Sequence, residues 1–267
     1  MDTQLTSLST ALQLRGSAPR FEASIPEDWA QGRATFGGLI AALGIRALAR
    51  TVDAQHSLRS FVIDFAGPTE PGEVQIEVEP LRAGRSLTHS RGRLSQAGQV
   101  RAEIVGAFGA TRATTLHLVG EPPPRAAAPE EAIRLSYIEG VMPKFTQHFD
   151  YRWTSDCSPF SAAARGHVGG WVRPLDDEPV DAAVLAALTD SFPAAIVPMM
   201  QAPAPNSTVT WLVNFVGRDL TAAPRSFWRL EGETDAVGDG YASEHAKLWD
   251  ANGELRVISH QLVAEFS

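Results

Sequence analysis

Residues 36–51 read Phe-Gly-Gly-Leu-Ile-Ala-Ala-Leu-Gly-Ile-Arg-Ala-Leu-Ala-Arg-Thr and are apolar almost all the way round a helical projection. The two charges, Arg46 and Arg50, lie four residues apart near the C-terminal end, where positive charge suits a helix dipole. A helix without a polar face must be covered on most sides. Crossing a bilayer takes about 20 apolar residues, and this stretch is shorter, so it predicts a helix buried in protein and no membrane span. A second stretch of the same kind, residues 180–196, recurs in the other half of the chain, and strand-like segments follow both. The expected class is α+β, with two antiparallel sheets each rolled round one buried helix.

The strands announce themselves by alternation and turns. Residues 73–79 put Val74, Ile76 and Val78 on one face and Glu73, Gln75, Glu77 and Glu79 on the other, a half-buried strand. Residues 57–65, 86–95 and 99–108 complete the first set, with a hairpin signal at Gln96-Ala97-Gly98. In the second half the strands are expected at 145–154, 165–173, 208–216, 226–234, 241–250 and 255–266. Residues 111–143 hold Glu-Pro-Pro-Pro and Ala-Ala-Ala-Pro, too much proline for a sheet interior, and read as the join. Two short matches mark a repeat. Ile63-Asp64-Phe65-Ala66-Gly67 resembles Val213-Asn214-Phe215-Val216-Gly217, and Gly98-Gln99-Val100-Arg101 resembles Gly253-Glu254-Leu255-Arg256. The repeat predicts that the two sheets pair side by side into one continuous sheet, with the join running outside.

Charge and cysteine narrow the function. A formal net charge of −8 disfavours a nucleic-acid surface. Residues 80–102 contain no acid but hold Arg82, Arg85, Arg91, Arg93 and Arg101, which is either an anion site or a solvated strand face. One cysteine, Cys157, leaves no disulfide framework and no Cys-x-x-Cys metal site. With a polar start at Asp2 and Gln4 and no secretory signal, a cytoplasmic location is expected. The histidines have no His-x-x-x-His spacing, and no Gly-x-Ser-x-Gly elbow, Walker loop or Rossmann glycine run occurs.

In order, Phe36-Gly37-Gly38, the apolar helix, His56-Ser57, a strand ending at Gly67-Pro68, and Leu81-Arg82-x-Gly84-Arg85-Ser86 resemble the double-hotdog acyl-CoA thioesterases of the thioesterase II type. Thr189-Asp190-Ser191-Phe192, Thr208 and Gln261 continue the resemblance. It implies a tandem (double) hotdog divided as 1–115, a proline-rich linker at 116–143, and 144–267. It also implies a hydrolase acting on acyl-CoA, with Asp190, Thr208 and Gln261 holding the attacking water and no metal or redox cofactor. Gly37 and Gly38 would let the thioester approach a helix N-terminus, and Arg82 and Arg85 would meet the CoA phosphates. No nucleic-acid or membrane partner is implied, and a homodimer of double hotdogs is compatible with it. The family often has a histidine three residues after His56, where this chain has Arg59. Gly106 stands where the repeat puts Gln261, so one working site per chain is expected.

The residues also speak without the resemblance. Asp190 has Ala186, Ala187, Pro193 and Ala194 as helical neighbours, so its carboxylate faces packing; the alternative is a helix cap. Gln261 shares strand parity with Leu255, Val257 and Ser259, and a buried amide needs partners, functional or structural. Simple alternation puts Thr208 with Thr210 and Asn214, opposite Trp211, Val213 and Phe215, hence away from the core. Two rivals to hydrolysis stay open: an enoyl-thioester hydratase or dehydratase, which would want an Asp–His pair, and an acyl-CoA-binding protein without turnover.

Overall fold

The structure, a computed structural model, describes residues 5–217 and 220–266. The first half runs α1 (Leu8–Ala11), β1 (Arg15–Ser17), β2 (Arg20–Ile25), the small ribbon β3 (Ala30–Gln31) and β4 (Ala34–Thr35), and α2 (Gly37–Ala49). It continues with β5 (Ser57–Phe65), β6 (Gly72–Ala83), β7 (Leu87–Gln96) and β8 (Gln99–Gly109). The second half holds β9 (Ile133–Leu135), β10 (Phe149–Trp153), β11 (His167–Pro174), α3 (Ala182–Thr189), β12 (Asn206–Phe215), β13 (Trp228–Gly238), β14 (Tyr241–Trp249) and β15 (Leu255–Glu265).

All strands but β3 and β4 form one 13-stranded antiparallel sheet, in the order β1-β2-β6-β7-β8-β5-β12-β15-β14-β13-β11-β10-β9. The halves meet at β5 and β12, and the join is centred on Val62 opposite Leu212: Phe61 faces Val213 and Ile63 faces Trp211. The continuous sheet expected from the repeat is therefore present. The ladders match rung by rung. Phe61 opposite Gly106 corresponds to Trp211 opposite Gln261, and Phe65 opposite Ala102 to Phe215 opposite Val257. A bulge after Leu58 recurs after Thr208.

Helix α2 is buried along nearly its whole length, as its composition requires. It lies on β6, β7 and β8, and α3 lies on β11, β14 and β15. The two helices pack against each other and run antiparallel: Gly37 at the start of α2 meets Asp190 at the end of α3, while Arg46 near the end of α2 pairs with Asp181, the N-cap of α3. Fully buried Leu39, Leu43 and Leu48 each stabilise this arrangement by about 1.5–3 kcal/mol. The halves also interlock through rings, with Trp29 stacked on His148 and Phe36 on Phe145.

Two expectations need correction. Helix α3 stops at Thr189 and does not run to Ile196. The hydroxyls of Thr189 and Ser191 bond back to the carbonyls of Leu185 and Leu188, and Pro193 disfavours helical backbone at the residue before it. The join is also not all linker, because β9 pairs with β10 at the sheet edge. The rest of it crosses the outer side of the second half. Trp249 Nε1 donates to the Glu121 carbonyl at 2.7 Å, Trp171 Nε1 to that of Ala127 at 3.0 Å, and Gly120 packs on Leu255.

Candidate active site

Asp190 is the C-cap of α3. Its carboxylate is caught between three elements. Gln261 on β15 donates from Nε2 to Oδ1 at 2.9 Å, and the backbone N–H of Gly38, in the first turn of α2, donates as well. A Cβ at Gly37 would stand 2.9 Å from Oδ2 and 3.4 Å from the Phe65 ring, so only glycine leaves the carboxylate its place. Gly38 is equally constrained, since a Cβ there would lie 3.0 Å from the Ala187 backbone. The glycine pair thus serves the close approach of α2 to the end of α3.

No arginine or lysine pairs with Asp190 among the described residues. Burial pushes its carboxyl from 3.8 up to about 7, against the pull of the Gln261 and Gly38 hydrogen bonds, which favour the charged form. The negative end of α3 acts in the same direction as burial, and the positive end of α2 opposes it. A carboxyl poised near neutrality can accept a proton at physiological pH.

Thr208 reaches this face through a bulge. Thr208 pairs with Val263, Thr210 with Leu262 and Trp211 with Gln261, so Val209 is the extra residue. Paired residues share a face, which puts Thr208 with Trp211, Val263 and Gln261. Simple alternation predicts the opposite because it cannot see the inserted residue. Thr208 lies two residues along the ladder from Gln261, about 7 Å.

The predicted arginines behave differently. Arg91 and Arg93 are neutralised by Glu79 and Glu103 from just outside the tract, at 2.8 and 2.7 Å, so this part is a solvated strand face. Arg82 and Arg85 are exposed, and the Arg85 carbonyl lies against His56, just before β5 begins. Phe65, which meets Gly37, ends that strand, roughly 26 Å further along it. Arg82 and Arg85 are therefore not brought to Asp190. An open hollow of about 530 Å³ lined by Arg59, Ser86, Leu87 and Gly109 lies at that far end too, apart from the Asp190 carboxylate.

Two supporting residues escaped the sequence reading. Buried Glu244 accepts from the backbone N–H groups of Ile196 at 2.7 Å and Ala195 at 2.9 Å, and pairs across the ladder with Gln261. Burial raises its pKa. Tyr151 donates its hydroxyl to the Ser191 carbonyl at 3.0 Å, and burial raises its pKa well above the usual value. Together they fix residues 191–196 directly after Asp190. The signal for Glu244 was present: it shares strand parity with Ala242, Ala246 and Leu248, an acid on an apolar face. Among the described residues, Asp156, Cys157 and His167 bring ligand atoms within 4.8 Å of one another. Arg165 occupies both Asp156 oxygens, and Glu231 and Ser155 occupy His167.

Two sequence profiles match in succession. That of the acyl-CoA thioesterase N-terminal domain covers residues 25–117, and that of the C-terminal domain covers residues 120–264. The chain belongs to the acyl-CoA thioesterase family. Solved structures agree on the fold. A conserved protein of unknown function with a hot dog fold from Alicyclobacillus acidocaldarius superposes with a TM-score of 0.88 at 22% identity, over 98% of this chain and 99% of that one. An acyl-CoA thioesterase II, TesB2, from Mycobacterium marinum gives 0.79 at 18% identity, over 97% and 98%. A TesB protein from Mycobacterium avium subspecies paratuberculosis gives 0.79 at 19%, over the same shares. No curated protein sequence matches this acyl-CoA thioesterase family member. Among the described residues, no helix is long and apolar enough to cross a membrane.

Proposed function

We propose that this chain is a tandem hotdog, divided near 1–115, 116–143 and 144–267, that hydrolyses acyl-CoA to a free acid and CoA. Asp190 is the general base that takes a proton from the attacking water, and Gln261 and Thr208 orient that water. Gln261 and Gly38 also stabilise the carboxylate, so the Gly38 N–H is spent on the base and is not free for the thioester carbonyl. The observation that carries this reading is the Asp190 cradle: a carboxylate held by an amide and a helix N-terminus, with no basic side chain paired to it among the described residues. A hydratase would want a histidine beside the acid, and here the partner is Gln261.

The test is release of CoA from short, long and aromatic acyl-CoAs, read with a thiol reagent. The expected result is release from at least one class by the wild-type chain. If every acyl-CoA keeps its thioester, hydrolysis is wrong, and the chain is a hydratase or a binding protein.

A further inference from the structure

The repeat singles out one arginine. Arg101 and Arg256 occupy matching places: Ala66 N–H donates to the Arg101 carbonyl as Val216 N–H does to that of Arg256, and Gly67 and Gly217 each lie beside a guanidinium. Arg256 is saturated with acids, pairing with Asp250 at 2.8 Å and Glu254 at 2.5 Å. In the first half the corresponding hairpin carries Gln96 and Gln99 instead. Among the described residues, four arginines have an Nε shut away from water without a partner: Arg46, Arg101, Arg152 and Arg229. The other three pair with carboxylates through their remaining nitrogens. Among the described residues, Arg101 has no carboxylate at all, although its neighbour Glu103 is on hand for Arg93.

A half-buried guanidinium without an anion forgoes the charge-assisted contacts that its geometry offers. Its position is informative. Arg101 lies where β5 ends: its carbonyl accepts from the N–H groups of Ala66 and Gly67, directly after Phe65, the ring that meets Gly37 beside Asp190, and its side chain leaves the sheet on the face opposite Phe65 and Ala102. It is thus the one arginine of the 80–102 tract that is both unpaired and at the Asp190 end of β5.

We infer that Arg101 anchors a phosphate group of the CoA moiety. The inference rests on the acyl-CoA reading above and adds the residue that would recognise the nucleotide end of the substrate. Guanidinium offers phosphate a planar pair of donors, which lysine does not.

The test uses two readouts on the full chain, with folding checked by circular dichroism. In calorimetry with CoA itself, Arg101→Gln is expected to weaken binding about tenfold or more, and Arg101→Lys by less, because it keeps the charge and loses the fork. In kinetics, Arg101→Gln is expected to raise KM for acyl-CoA with kcat held, and to leave the same acyl group carried on N-acetylcysteamine, which has no phosphate, unaffected. Unchanged CoA affinity in Arg101→Gln overturns the proposal. So does an equal loss on both thioesters, which would mean a structural role. If the wild-type chain binds CoA but hydrolyses no thioester, the hydrolase reading falls while a loss of CoA binding in Arg101→Gln still upholds the anchor. If the wild-type chain binds no CoA, the anchor falls.

Discussion

The antiparallel pair α2 and α3 has two ends built on the same plan and finished differently. At one end the start of α2 meets Asp190, and among the described residues the carboxylate receives an amide and a backbone N–H and no basic side chain. At the other end Arg46 of α2 is held by Glu178 and Asp181 at 3.2 and 3.0 Å. The sheet beneath repeats the contrast. Thr208, Gln261 and Val263 stand at the first end, and their matches Leu58, Gly106 and Phe108 at the second. There Leu48, Leu58 and Phe108 fill the space next to Gly106. On the proposed reading, one end is reactive because its buried acid has no counter-charge among the described residues, and the other is packed with apolar side chains.

The sharpest way to break this comparison is Asp190→Asn, which keeps the shape and removes the proton acceptor. General-base assistance is worth about 10²–10⁴-fold, so turnover on the best acyl-CoA is expected to fall by at least about 100-fold with CoA affinity held. Turnover near the wild-type rate would show that the two ends do not differ in the way described. Gln261→Ala is expected to cost less, about tenfold, because it orients and does not take the proton. It also removes a hydrogen bond that favours the ionised acid. The midpoint of the rise of kcat/KM with pH, expected near 7 in the wild type, should therefore move upward. A downward shift would assign Gln261 a different role.

Gly106→Gln tests the retired end. The repeat alone predicts a silent change, but a Cβ there would stand 2.8 Å from Phe108 and 3.0 Å from Leu48. Overpacking of this kind typically costs about 1–3 kcal/mol, so Tm should drop and no second activity should appear. An unchanged Tm would mean that the packing there is looser than it looks.

A further effect concerns stability and pH. Asp190 holds its proton more tightly in the folded chain, at about 7, than at its ordinary value of 3.8. The folded state therefore binds the extra proton between those values, and wild-type stability from this group is lost as pH rises through about 7. Asp190→Asn has no such proton. Its Tm relative to wild type should rise between about pH 4 and about pH 8, and a flat difference would contradict the raised pKa.

The sequence made the fold legible where side chains obey a period. The helix at 36–51, the alternation at 73–79 and the two repeat matches place α2, β6 and the seam of the sheet close to where they are. Asp190 and Gln261 were legible as polar groups among apolar neighbours. Three features were not. The end of α3 depends on hydroxyls bonding back to carbonyls, which no hydrophobic pattern records. The face of Thr208 depends on one inserted residue. Arg101 was visible only as one arginine among five, because what distinguishes it is the acids missing from its hairpin, and that takes the register of both halves to see.

An open sheet of 13 strands has two rims, and each here ends in a three-residue strand, Arg15–Ser17 on one side and Ile133–Leu135 on the other. Long bare rims recruit other chains and grow into fibres, and very short ones give a newcomer too few rungs to hold. The strap between the halves thus has a protective duty besides its reach. By laying β9 along Tyr151, Arg152 and Trp153 of β10 it caps backbone N–H and C=O groups that would otherwise be open to a neighbouring copy.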